Sequence, residues 1–248
     1  MKPFLLLATR EVDRAADSEY EAMLRFSGLE EAQLRRVRME QGPIGTIRLD
    51  DFSGVIVGGG PFNSSDLEKS AVQVRVEAEI SALLDQIVPR DFPFLGACYG
   101  IGTLGTHQGA VVDRTYAEPV GPMTITLTEE GRADRLFQGL PERFEAFLGH
   151  KEAIGKLPPH AVNLAYSATC PVQAFRVGSN VYATQFHPEL DVAGVEVRVD
   201  VYKHAGYFEP HEADVIKASA RASNVVHPPA ILRRFVELFA EGTSAGAA

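Results

Sequence analysis

The chain has 248 residues, 45% apolar and 23% charged, which excludes a disordered or fibrous protein and fits one large domain. Thirty-three acidic side chains against 24 Lys and Arg give a net charge of -9; this balance repels phosphate backbones and argues against nucleic acid as the main partner. No apolar run approaches the roughly 18 residues that cross a bilayer, so no membrane partner is expected, and two cysteines, Cys98 and Cys170, form no disulfide framework and point to the cytoplasm.

Residues 3–8 are apolar, too short for the core of a signal peptide, and are followed by Arg10 and Glu11; they read as a first buried strand. A helix is expected over 11–26, a weak strand over 34–39 and a buried strand over 52–57 that stops at Gly58-Gly59-Gly60-Pro61. Asn63-Ser64-Ser65-Asp66 has the composition of a helix N-cap. Behind it Val72, Val76, Ile80, Leu83, Leu84 and Ile87 make one apolar stripe, which predicts an amphipathic helix. Pro89 and Pro93 end it, and 94–97 forms the next buried strand. This alternation implies an α/β fold, a mostly parallel open sheet with helices on both faces.

After about residue 111 the rhythm shortens. Strands are expected over 123–128, 144–148, 162–168, 172–177 and 181–186, with Gly178-Ser179-Asn180 as a hairpin turn. They predict an antiparallel extension of the same sheet. Extra C-terminal helices follow from Asp191, ending in a helix over 230–239. Residues 1–242 read as a single domain, and 243–248 as a disordered tail.

Three stretches carry chemistry. Phe94-Leu95-Gly96-Ala97-Cys98-Tyr99-Gly100 runs a strand into Gly-x-Cys-x-Gly, with a helix expected over 101–108. This is the arrangement of a nucleophile elbow: a tight turn leaves no room for side chains two positions either side, and the helix N-terminus favours a thiolate. The same residues also suit a buried structural cysteine beside two packing glycines. In Gln185-Phe186-His187-Pro188-Glu189, extended backbone puts His187 and Glu189 on one side, a base with its orienting carboxylate; a surface histidine beside a solvated acid fits as well. Gly58-Gly59-Gly60-Pro61 follows a strand without a P-loop lysine or a dinucleotide fingerprint. It suits an oxyanion hole, with a second backbone N–H from Tyr99. Cys170 reads as apolar filler, Arg35, Arg36 and Arg38 and Arg233 and Arg234 as solvated faces, and no metal or other cofactor is expected.

In order along the chain, Gly-Gly-Pro, Gly-x-Cys-x-Gly and Phe-His-Pro-Glu resemble the class I, triad-type glutamine amidotransferases. The likeness extends over about residues 50–190, including Met123 to Leu140 and Phe147 to Ile154. It implies a flavodoxin-like fold and hydrolysis of glutamine through a thioester. Cys98 becomes the nucleophile, His187 the acid and base and Glu189 the orienting acid. Gly60 and Tyr99 become the oxyanion donors, and Gly59, Gly100, Gly149, His150 and Lys151 substrate-binding positions. The implied partners are glutamine and a synthetase subunit or acceptor enzyme resembling that of GMP synthase; the extra helices after Asp191 are the expected place for a contact with such a partner or with a second copy in a homodimer. One position departs: the family usually has Gln four residues after the nucleophile, where this chain has Gly102. That opens two alternatives, a γ-glutamyl amide or peptide hydrolase using the space, or a non-catalytic regulatory subunit.

Overall fold

The structure, a computed structural model, describes residues 1–240; the expected tail at 243–248 lies outside them. The strands are β1 (Phe4–Ala8), β2 (Leu34–Arg38), β3 (Gly54–Val57), β4 (Phe94–Ala97), β5 (Val111–Asp113), β6 (Glu118–Leu127), β7 (Arg143–His150), β8 (Ala153–Lys156), β9 (Ala161–Tyr166), β10 (Ala174–Val177) and β11 (Val181–Thr184). The helices are α1 (Asp13–Ser27), α2 (Ala71–Ile87), α3 (Tyr99–His107), α4 (Glu129–Ala133), α5 (Val192–Val201), α6 (Ala213–Ala222) and α7 (Pro229–Phe239).

Nine strands make one sheet in the order β2-β1-β3-β4-β11-β10-β9-β6-β7, and β5 pairs with β8 in a separate ribbon. The pairs from β2 to β11 are parallel, and those from β11 through β10, β9 and β6 to β7 are antiparallel. The expected parallel sheet with its antiparallel extension is therefore present. Side-chain alternation along the strands builds two cores. Phe4, Leu6, Ile56, Leu95 and Tyr182 pack under α1 and α7, through Met23, Ile231 and Phe235. Leu5, Leu7, Val55, Val57, Phe94 and Ala183 pack under α2 and α3, through Val76, Ile80, Leu84 and Leu104. A third cluster, with Phe147, Leu190, Val195, Val199 and Ala220, seats α5 and α6.

Three local expectations are corrected. The Asn63–Asp66 cluster does not cap α2, which starts at Ala71 with the Ser70 hydroxyl accepting from Gln73 N at 3.1 Å. The cluster instead forms a turn whose Ser64 and Ser65 N–H groups donate to the Glu152 carboxylate at 2.8 and 2.7 Å. Val72 is off the stripe and 37% exposed, because the buried face takes Gln73 at its first turn. Arg38 is not a solvated charge: it reaches Asp13 and Glu40 at 2.6 Å and the Arg10 carbonyl at 3.0 Å. The expected hairpin at Gly178 is present, with β10 and β11 paired Val177 to Val181 and Gly178 at φ 60°. Among the described residues no helix is long and apolar enough to cross a membrane.

Candidate active site

Strands β3, β4 and β11 are adjacent and parallel, so the segments leaving their C-terminal ends emerge at one sheet edge. That edge is where open α/β sheets place their ligands. It gathers Gly58–Gly60, Cys98 and His187, three segments far apart in sequence.

Cys98 stands between β4 and α3 at φ 54° and ψ -90°, a backbone region that costs a residue with a Cβ about 1–3 kcal/mol. Its N–H donates to the Thr184 carbonyl at 2.8 Å, extending the β4–β11 ladder by one bond and fixing the turn. The glycine spacing has the steric cause read from the sequence. A Cβ on Gly96 would stand 2.7 Å from the Gly100 carbonyl carbon and oxygen, and one on Gly100 3.2 Å from the Val57 carbonyl. The helix starts at Tyr99, two residues earlier than expected. The Tyr99 N–H is thus a first-turn donor without an intrahelical acceptor.

His187 does not sit on extended backbone, since β11 ends at Thr184 and the Leu190 N–H donates back to the His187 carbonyl at 3.3 Å. The turn nevertheless joins the pair: His187 Nδ1 and Glu189 Oε1 are 2.8 Å apart. Glu189 is fully buried. Its carboxyl is held far below the ordinary carboxylate range; burial opposes this, but His187 and Arg198 outweigh it. Burial likewise works against an imidazolium at His187, yet the neighbouring Glu189 and Cys98 charges win, and its pKa is raised. Cys98 is both a charge and a hydrogen-bond neighbour of that ring. Because Nδ1 belongs to Glu189, the nitrogen left for the sulfur is Nε2.

The glycine turn is gripped from behind. Gly59 N–H donates to Glu19 Oε1 at 3.2 Å, and its carbonyl accepts from Thr9 Oγ1 at 3.2 Å. In a trans peptide the carbonyl and the next N–H point oppositely, so holding the Gly59 carbonyl turns the Gly60 N–H away from Thr9. A Cβ at Gly59 would come within 2.6 Å of both Arg10 Nη2 and His187 Cε1. Gly60, Cys98 and His187 line one cavity of about 70 Å³ together with Arg10, Phe147, Gly149, Leu190, Arg198, Tyr202 and Tyr207.

The other expected binding positions separate. Gly149 lines the cavity, but the buried His150 ring turns away, bonding Glu118 and the Glu152 carbonyl at 2.8 Å each. Lys151 reaches outward, to the Ala205 carbonyl at 3.1 Å and over the Tyr207 ring at 4.4 Å. Cys170 is buried in the connection between β9 and β10, with its thiol pushed up to about 11 by burial. No group of three or more metal-ligating side chains occurs among the described residues. Sequence reading misses Glu19, Arg10, Arg198, Tyr202 and Tyr207. The available signal is Glu19, an acid on the buried face of α1 beside Ala15, Ala16, Ala22 and Met23.

Gly102 does not open space. A Cβ there would stand 2.6 Å from Glu152 Oε1 and 3.1 Å from Ser64 Oγ, because the buried Glu152 carboxylate fills the position as it bridges the start of β8 to the turn after β3. Restoring a long side chain by Gly102→Gln is expected to destabilise the fold by ~1–3 kcal/mol through overpacking. In thermal unfolding, the double variant with Glu152→Ala should lose less than the two single losses added together.

Residues 18–194 match the family model described as glutamine amidotransferase class-I. The chain belongs to the class I glutamine amidotransferase family, and it is an enzyme of the glutamine amidohydrolase class. It is 30% identical over 182 residues to a GMP synthase (glutamine-hydrolyzing) subunit of Thermococcus kodakarensis, covering 73% of this chain and 86% of that one. It is 29% identical over 148 residues to the longer GMP synthase (glutamine-hydrolyzing) of Borrelia garinii subsp. bavariensis, covering 60% of this chain but 26% of that one. Among solved structures, a glutamine amidotransferase from Thermotoga maritima shares the fold with a TM-score of 0.77 at 20% identity, covering 97% of this chain and 99% of that one.

Proposed function

We propose that the chain hydrolyses the side-chain amide of glutamine through a thioester on Cys98 and delivers the ammonia to a separate acceptor enzyme or synthetase. The observation that carries this reading is the juxtaposition at one sheet edge of a strained cysteine, a histidine bonded to a buried glutamate, and a glycine turn whose Gly60 N–H is turned from its backing. The Cys98 thiolate attacks the γ-carbonyl carbon, and the oxygen's developing charge is taken by the Gly60 and Tyr99 N–H groups. As the C–N bond breaks, His187 gives its proton to the departing ammonia. A water then loses a proton to the same imidazole and attacks the thioester carbonyl, breaking the C–S bond, releasing glutamate and restoring the thiolate beside a protonated His187.

Tyr202, Tyr207 and Phe208 form part of the cavity wall beside Cys98 and His187. The relatives named as separate GMP synthase subunits support a partner that consumes the ammonia. The alternative of a larger γ-glutamyl substrate loses its support, because the space at Gly102 is taken by Glu152. The test is glutamate and ammonia release from glutamine by the full chain, with a glutamine-mimicking electrophile mapped by peptide mass. Labelling of Cys98 in step with loss of activity supports the reading. Labelling of Cys170 instead, or ammonia release that labelling leaves intact, sinks it.

A further inference from the structure

Around the triad acid lies a buried chain of four charged side chains, Glu189, Arg198, Glu19 and Arg10, the last three of which take no part in the thioester route. Glu189 Oε1 accepts from His187 on one side and from Arg198 Nη2 at 2.7 Å on the other. The same Arg198 nitrogen is 3.4 Å from Glu19 Oε1. That oxygen also accepts from Arg10 Nε at 2.9 Å and from Gly59 N at 3.2 Å, and Arg10 Nη1 donates to the Tyr202 hydroxyl at 3.3 Å. One carboxylate oxygen of α1 therefore joins the glycine turn after β3, while one guanidinium of α5 joins that oxygen to the triad acid.

Resting on the thioester reading, we infer that Arg198 is a positioning residue, which with Glu19 locks the triad carboxylate and the oxyanion turn into one rigid unit. The charges balance, two guanidiniums against two carboxylates, so the unit holds His187 and Gly60 in fixed relation without an excess of either sign. Stability alone does not account for it. Buried ion pairs seldom repay their desolvation, and here Arg198 Nη1, Glu19 Oε2 and Glu189 Oε2 are buried without a hydrogen-bond partner. The expense falls where geometry matters, because a reacting group misplaced by about 1 Å can cost on the order of a hundredfold in rate. The groups facing the His187–Cys98 pair are Glu189 and Arg198 from the turn and α5, and Tyr207, which feels the Cys98 charge, from the segment after α5. Arg10 faces the pair as well, lining the cavity with its Nη2 beside the position a Gly59 Cβ would share with His187 Cε1, and Glu19 stands behind the glycine turn.

The experiment uses the full chain with Arg198→Gln, Arg198→Lys and Glu19→Gln. Arg198→Gln is expected to lower kcat for glutamine by about 10- to 100-fold with KM little changed, and Arg198→Lys to recover part of that loss. Independently of turnover, the pH dependence of Cys98 alkylation by iodoacetamide is followed by peptide mass. Losing a cation disfavours the thiolate and losing an anion favours it, so the midpoint should move up in Arg198→Gln and down in Glu19→Gln. A role limited to folding moves neither midpoint in variants that still unfold cooperatively. Coincident midpoints, or a rise in KM alone that would make Arg198 a substrate-binding group, overturn the inference. If Arg198→Gln does not fold, Arg198→Lys and Glu19→Gln decide it. Absence of glutamine turnover in the native chain counts against the hydrolase reading, and the alkylation midpoints still judge the charge coupling.

Discussion

Cys98→Ala should reduce glutamine hydrolysis by on the order of 10⁴-fold or more while leaving the chain folded. On the proposed thioester route, removing a nucleophile that works as one unit with its base forfeits nearly all of the covalent path, and what persists comes from the oxyanion donors and binding. The stability half of the result follows from the backbone. Cys98 sits at φ 54°, and Ala inherits that strain because it too carries a Cβ. Cys98→Gly releases it, since glycine occupies positive φ without a steric penalty. Thermal unfolding is therefore expected to rank Cys98→Gly above Cys98→Ala by about 1 kcal/mol, although both are inactive. A native chain whose melting point matches Cys98→Gly, with Cys98→Ala no lower, would show that the elbow stores no strain.

The parts of this molecule legible in its sequence are those governed by short-range rules. Strands β1, β3 and β4 announce themselves as apolar runs, and the elbow as glycines two positions either side of Cys98, a spacing whose cause is the 2.7 Å approach of a Gly96 Cβ to Gly100. The turn at Gly178 is equally plain. What stays hidden is set by partners distant in sequence. Nothing local tells that the two serines after Asn63 would hold Glu152, 88 and 87 positions away, instead of capping a helix. Residues 185–190 look like a strand's continuation, yet the backbone turns and the His187–Glu189 bond forms all the same. Arg198 is one charge on a short helix of alternating valines, and only the packing of α5 beside the His187–Glu189 turn brings it to the Glu189 carboxylate. His150 and Lys151 show the converse. Their place in a family-like stretch points to substrate, but the β6–β7 register, with Glu118 opposite His150, draws the imidazole into a buried polar cluster.

Glu189→Gln should cut kcat by on the order of 10³-fold and move the pH profile in a direction fixed by two titrations. In the native fold the Glu189 pKa is depressed below its ordinary 4.5, burial being outweighed by His187 and Arg198. Its stabilising contribution is present above that ordinary value and is lost as pH falls through the folded one. The His187 pKa is raised above its ordinary 6.5, burial being outweighed by Glu189 and Cys98. That contribution is full below 6.5 and disappears as pH rises through the folded value. The variant removes the carboxylate that sustains the imidazolium, so the alkaline limb of kcat/KM moves to lower pH. The carboxamide can still accept from Nδ1, which preserves the ring's orientation and separates the charge effect from misplacement. Arg198 keeps only Glu19 as counter-charge in the variant, and breaking a buried pair from one side costs ~3 kcal/mol. The stability gap between native chain and variant should accordingly be widest between pH 4.5 and 6.5 and narrow on the alkaline side as native His187 loses its proton. An unmoved alkaline limb, read from initial rates across that range, would mean that Glu189 serves the imidazole through shape alone.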